Sequence, residues 1–259
     1  MMMNPYYLTK NSFLPLFTSL SLLSLAMMTL AMLWKIEMNT FLIPLILIIP
    51  FIYWFLELER ETNYLGLMLN KENNFILFAF MLFILSEIMF FMSFFWSYFH
   101  FSFSPDIELG NSWPPMGIEP IPFFETPLLN TVVLLSSGVS ITWAHHMFYY
   151  KKTKLNMIIL VLMTIILGVY FSILQLEEYQ SSSFSINDSC FGSNFFIATG
   201  FHGIHIIVGS MLLFSVFIKF LVGMNPTMYQ THFETAAWYW HFVDVVWLFL
   251  YLCIYWWGH

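Results

Sequence analysis

Charge is what this chain has least of. Asp, Glu, Lys and Arg make up 9% of its 259 residues, and arginine occurs once, at Arg60. A soluble domain carries about 25% charged residues, because its surface must be solvated. The deficit excludes a soluble enzyme, a nucleic-acid binder and a disordered chain. Cysteine is almost missing too. Cys190 and Cys253 stand alone, with no CxxC or CxxCH, so a disulfide scaffold, a thiolate metal site and covalent haem attachment have no support. Both thiols read as inert. The opening MMMNPYYLTKNSF holds one lysine, no arginine and no acidic residue, unlike an Arg-rich presequence. A chain without a cleavable targeting segment is therefore expected. No internal repeat is visible, which leaves an inverted-repeat transporter unsupported.

Hydrophobic residues are present in excess, at 59%, with 21% aromatic. The apolar blocks are too long for barrel strands of about ten residues, so an all-α integral membrane protein is expected. A helix needs roughly 20 apolar residues to cross the bilayer. Seven candidate spans follow: 14–34, 39–57, 74–103, 128–150, 155–176, 191–222 and 233–257. Pro44 and Pro50 predict a kink in the second. The third and sixth are long enough to tilt or protrude. Residues 104–127 carry six of the eleven prolines, in a stretch including WPPMGIEPIP. That composition forms neither helix nor central strand and predicts an ordered surface loop. Residues 177–190 read as an acidic, serine-rich loop.

Seven spans place the termini on opposite sides. Lys10, Arg60, Lys71, Lys151, Lys152, Lys154 and Lys219 fall on the N-terminal side and only Lys35 on the other. The positive-inside rule then puts the N-terminus in the compartment of synthesis. The opposite face collects Glu37, Asp106, Glu108, Glu119, Glu125, Glu177, Glu178 and Asp188. Abundant Phe, Leu, Ile, Met and Asn beside a single Arg suit an AT-rich genome such as a mitochondrial one.

Ionisable groups inside a membrane are costly and hence candidates for function. Glu87, in FILSEIMFFMSFFW, lies near the middle of the third span with no basic residue nearby in sequence. Burial there favours the neutral acid. Ser86, Ser93, Ser97 and His100 share a stripe about a quarter turn away. Glu87 reads either as a proton-linked carboxyl or as a neutral packing group bonded to a neighbouring helix. Ser136, Ser140 and Ala144 recur at i, i+4, i+8, and Thr199 and Gly203 at i, i+4, as small-residue faces for close helix approach. Gly192, Gly200 and Gly209 are read the same way. His202 and His205 are spaced i, i+3, as are His241 and Asp244. Imidazoles can ligate haem or copper. Adjacent His145 and His146, however, point about 100° apart on a helix, and no carboxylate–x–x–His pattern of di-iron bundles occurs. Hydrogen-bonded packing is the preferred reading, with His241 and Asp244 bonded to each other or across helices. Trp256 and Trp257 suit one interfacial belt, and Trp238 and Trp240 the opposite one.

Five segments carry a family resemblance: SEIMFFMSFFWSYFHFSFSP, ELGNSWPPMGIEP, PLLNTVVLLSSGVSITWAHH, FFIATGFHGIHIIVGS and ETAAWYWHFVDVVWLFLYLCIYWWGH. Together they resemble the cytochrome c oxidase subunit III family of the mitochondrial type. The resemblance runs from about residue 54 to the end, roughly four-fifths of the chain. It implies a polytopic protein of seven transmembrane helices in two bundles, 1–2 and 3–7, separated by a V-shaped lipid-filled cleft. Residues 1–73 would form the two-helix bundle with its connecting loop, and 74–259 the five-helix bundle. It implies no metal, no catalytic residue and no redox centre in this chain. Haem a, haem a3 and the copper centres would sit in partner subunits of a complex that passes electrons from cytochrome c to O2 and pumps protons. Implied partners are subunit I above all, subunit II, small accessory subunits and phospholipids, without nucleic acid. Implied roles are stabilising subunit I, sustaining proton uptake, holding lipids and guiding O2. The inner mitochondrial membrane would be crossed with the N-terminus in the matrix and the C-terminus in the intermembrane space.

Residue by residue, Glu87 takes the position of the family's carbodiimide-reactive carboxyl in its SExxFF motif. Arg60 and Glu61 match an RE pair that grips a phospholipid headgroup, to which guanidinium is suited. Trp96 and His100 match positions associated with lipid contact. Lys219 falls where relatives tend to have arginine and lacks the bidentate fork. Leu67 and Met68 stand where relatives often carry a histidine pair, and the first histidine of the chain is His100. A histidine antenna on the matrix face is therefore not expected. Leu56 replaces another frequent arginine, so the lipid site is less charged. The alternative from another class is a proton-coupled transporter using Glu87.

Overall fold

The computed structural model describes residues 12–34, 49–50, 52–54, 56–57, 70–107, 110–150, 154–222 and 226–258. All of their regular structure is helical, and no strand occurs among them. Two compact units divide the chain, Met1–Asn74 and Phe75–His259.

The first unit contains α1, Leu14–Leu33, which opens on Pro15. Proline suits the first turn, where the missing N–H would be unpaired anyway. Its hydroxyls have no water to turn to in a bilayer. Thr18, Ser19, Ser21, Ser24 and Thr29 each donate to the carbonyl three residues back, at 2.7–2.9 Å. The expected second span, 39–57, lies for the most part outside the described residues, as do Lys10, Lys35 and the lysines of KKTK before Lys154.

The second unit is a helical bundle. Its helices are α2 (Asn70–Phe103, entering the unit at Phe75), α3 (Thr126–Tyr149), α4 (Lys154–Ser181), α5 (Ser189–Val222) and α6 (Pro226–Leu250). The last continues into one π-helical turn, Tyr251–Trp256. Counting α1, six helices among the described residues are long and apolar enough to cross a membrane. At 1.5 Å per residue, the 34 residues of α2 and of α5 span about 50 Å, well beyond the hydrocarbon thickness. α3 packs on α4 and α6, and α5 on α4 and α6. α2 joins the bundle through rings. Phe83 stacks on Tyr239, Phe91 meets Phe242, and Phe94 stacks on Phe201.

Trp240 sits at the centre. Its side chain is fully buried, which corrects the expectation of a place in an interfacial belt. Its indole N–H donates to Ser137 Oγ on α3 at 2.9 Å. A Cβ on Gly168 of α4 would stand 2.5 Å from the ring, and one on Gly209 of α5 would stand 3.0 Å from it. The indole therefore fills a slot that two glycines open. Gly200 and Gly203 face open space, so the close approach expected of them is made at Gly168 and Gly209. Ser140 Oγ and Thr164 Oγ1 share a hydrogen bond at 2.8 Å between α3 and α4. Ser136 is exposed and bonds back to Val133 O, so Ser137 and Ser140 are the serines that meet other helices.

The proline-rich segment is pinned at several points. Trp113 Nε1–H donates to Tyr98 at 3.1 Å, Ser183 Oγ to Glu119 O at 3.2 Å, and Tyr251 to Phe123 O at 3.3 Å. Gly110 and Gly117 adopt positive φ, +92° and +94°, a region open to glycine at no steric cost.

Gly168→Val should cost about 1–3 kcal/mol, the usual price of overpacking, read as a lower thermal midpoint in detergent. Gly200→Ala, with open space around its Cβ, should raise the midpoint slightly, by the roughly 0.5–1 kcal/mol that alanine gains over glycine inside a helix.

Candidate functional site

Four polar clusters lie between the helices. The first joins Glu87 on α2 to His205 on α5, with Glu87 Oε2 3.0 Å from His205 Nε2. The other ring nitrogen, Nδ1, donates to Phe201 O at 2.7 Å. A neutral His205 protonated at Nδ1 must accept at Nε2, so Glu87 then supplies the proton. The only other arrangement is a carboxylate facing an imidazolium. Either way one proton lies between Oε2 and Nε2. Tyr239 stacks on His205 and Phe91 meets it edge-on, screening the pair on two sides. Glu87, without a basic neighbour in sequence, thus has one in space, 118 residues on.

The second cluster is one that sequence reasoning missed. Glu178 was expected in the acidic loop 177–190, but α4 runs on to Ser181 and buries it, leaving 1% exposed. Three neutral donors converge on its carboxyl: Tyr255 O–H at 2.6 Å, Thr126 O–H at 3.1 Å and Gln175 N–H at 3.2 Å. Asn130 Nδ2 in turn donates to Gln175 Oε1 at 3.4 Å. The available signal was helical spacing, since Gln175 and Glu178 lie at i, i+3 and share a face.

The third cluster holds Lys219, a candidate lipid contact. It is buried, and its Nζ donates to His232 Nδ1 at 2.8 Å. His232 Nε2 lies 3.1 Å from Ser215 Oγ. The fourth is His241 and Asp244, where Nδ1 and Oδ2 are 4.0 Å apart, too far for a hydrogen bond. His202 takes no part in these pairs. Its Nε2–H donates to Val243 O at 3.2 Å.

Trp96 and His100 are both exposed, Trp96 at 78%. They line an almost wholly apolar groove of about 580 Å³ with Met92, Phe95, Phe99 and Phe103. Arg60 and Glu61 lie outside the described residues. Among the described residues no three His, Cys, Asp or Glu side chains are grouped to hold a metal.

Long apolar helices whose ionisable groups are paired between them define a multi-pass membrane protein. Comparison with known proteins narrows the class. The chain matches the family described as cytochrome c oxidase subunit III over residues 4–259. Cytochrome c oxidase subunit 3 of Patiria pectinifera is 46% identical over 258 residues, 98% of each chain. That of Heterololigo bleekeri is 44% identical over 262 residues, the whole of both chains. That of Pelomedusa subrufa is 51% identical over 214 residues, 83% of this chain and 82% of the relative. The chain belongs to the cytochrome c oxidase subunit III family. It is accordingly a subunit of respiratory complex IV, part of an oxidoreductase assembly with other subunits.

Two outcomes test these clusters. A hydrophobic carbodiimide needs a protonated carboxyl reachable from lipid. It should label Glu87, 23% exposed, and spare the enclosed Glu178, read by peptide mass mapping. Labelling confined to Glu178 or to loop acids would exclude the neutral Glu87 acid and leave the carboxylate facing an imidazolium. Tyr255→Phe removes the shortest bond to a buried carboxyl and should cost about 1–3 kcal/mol. Tyr251→Phe removes a 3.3 Å bond to a backbone carbonyl and should lower the thermal midpoint less.

Proposed function

We propose that this chain is the non-catalytic, metal-free core subunit of cytochrome c oxidase that supports electron transfer from cytochrome c to O2 and the coupled proton pumping. Family membership over nearly the whole length carries the reading. The chain works by stabilising subunit I, by holding structural phospholipids and by guiding O2. It has seven spans in two bundles, residues 1–73 and 74–259, with a lipid-filled cleft between them. Haem a, haem a3 and copper belong to its partners, which include subunit II and small accessory subunits. It lies in the inner mitochondrial membrane, with the basic N-terminal side in the matrix and the acidic side in the intermembrane space. The seven-to-one asymmetry of basic residues supports that orientation.

Lipid is held at Arg60 and Glu61, at Lys219, and in the groove of Trp96 and His100. The apolar wall of that groove supports an acyl-chain occupant. Glu87 is the membrane carboxyl, and its contact with His205 makes it a proton-holding link between two helices. His202, Ser136, Ser140, His241 and Asp244 serve packing and polar contact within or at the edge of the bundle.

The deciding experiment is an absorption spectrum of the native complex captured through this chain in mild detergent, oxidised and then reduced. Haem a bands are expected in the captured particle, and they should remain with the other subunits once this chain is stripped away. A colourless particle would overturn the proposal.

A further inference from the structure

Asn130 Oδ1, His202 Nδ1, Asp244 Oδ1 and Trp247 Nε1 are buried and have no hydrogen-bond partner among the described residues. Asp244 lies against Gly138, about two turns along α3 from Asn130. The other three converge. α3 and α6 run antiparallel: His145 meets Phe233, Ser137 meets Trp240, and Phe123, just before α3, meets Tyr251, just after α6. Asn130 stands seven residues before Ser137, and Trp247 seven residues after Trp240. Seven residues make two turns, about 10.5 Å, and return a side chain to nearly the same face. Asn130 and Trp247 are therefore level on facing sides, two turns from the direct bond between Trp240 and Ser137. His202 of α5 stands beside them, its ring centroid 5.2 Å from that of Trp247. Phe171 lies edge-on to both rings. None of the three residues is more than 1% exposed.

We propose that Asn130, Trp247 and His202 form a binding site for one buried water molecule between α3, α5 and α6. The polarity of the three groups selects it. The indole N–H of Trp247 only donates. His202 gives its Nε2 hydrogen to Val243 O, so Nδ1 of the neutral ring only accepts. Asn130 Nδ2 donates to Gln175 Oε1 at 3.4 Å, which leaves Oδ1 as the acceptor. One water accepts from Trp247 and donates one hydrogen to Asn130 and the other to His202. Three partners are the usual number for a buried water. A metal ion would face the N–H hydrogen, and an anion would face two lone pairs, so neither fits. The bound water extends the chain Glu178–Gln175–Asn130 to His202. It thereby joins the polar cluster at the end of α4 to the middle of α5. The site is independent of the roles proposed above for lipid and O2.

The test is X-ray hydroxyl-radical footprinting of the assembled complex, read by tandem mass spectrometry. Radiolysis turns a bound water into a hydroxyl radical in place, so a buried side chain beside that water is oxidised. Trp240 is the internal control, since it is as deeply buried and its N–H is bonded to Ser137. Oxidation of Trp247 several-fold above that of Trp240 is expected. Equal oxidation of the two indoles, or none at Trp247, would overturn the proposal. A density map of the complex that resolves ordered water gives a second readout. A peak about 2.7–3.2 Å from Trp247 Nε1, Asn130 Oδ1 and His202 Nδ1 is expected. No peak there, or a direct bond from Trp247 to either acceptor, would also overturn it.

Discussion

Trp240 sets the spacing of the helices around it. Its ring occupies the gap over Gly168 and Gly209, and its N–H is held by Ser137. Three helices are thereby fixed against a fourth by one side chain. Interhelical association in a membrane gains little from the hydrophobic effect and depends on close packing and hydrogen bonds. A rigid indole in a glycine-lined slot supplies both. The buried aromatics around it, Phe171, Trp247 and Tyr239 among them, complete a core that tolerates little change in volume.

The second constraint is that no polar group in the span can rely on water. Isolated hydroxyls solve this locally, bonding to a carbonyl three or four residues back, as along α1 and α3. Ionisable groups have no local solution and pair across helices. Glu87 finds His205, Glu178 finds Tyr255, and Lys219 finds His232. These pairs tie α2 to α5, α4 to the terminal π turn, and α5 to α6. His241 and Asp244 depart from the pattern, since they lie on one helix with their nearest atoms 4.0 Å apart and Asp244 Oδ1 has no partner among the described residues.

Some residues announced their part in advance. Glu87 is a carboxyl in the middle of an apolar run, and nothing but a long helix in lipid explains that run. WPPMGIEPIP could only be a connection, and the loop is pinned as an ordered segment. Other residues misled. Glu178 sits beside Glu177 and a serine-rich stretch, so its neighbours in sequence suggested a solvated loop. Its actual surroundings come from helices about 50 and 80 residues away. Trp240 follows Trp238 in an aromatic cluster typical of a membrane interface, yet the two residues face opposite ways, one into the core and one outward.

The sequence by itself determined that the protein is helical, membrane-embedded and sparing of charge. Those properties follow from length and composition, because a bilayer accepts only long apolar segments that satisfy their own backbone. It also carried the family, through motifs long enough to be specific. Only the tertiary structure decided which groups meet. A contact between Glu87 and His205, or a slot for Trp240, depends on helix rotation and approach. Those are set by side chains from distant segments packing at once, and no local stretch of sequence contains them.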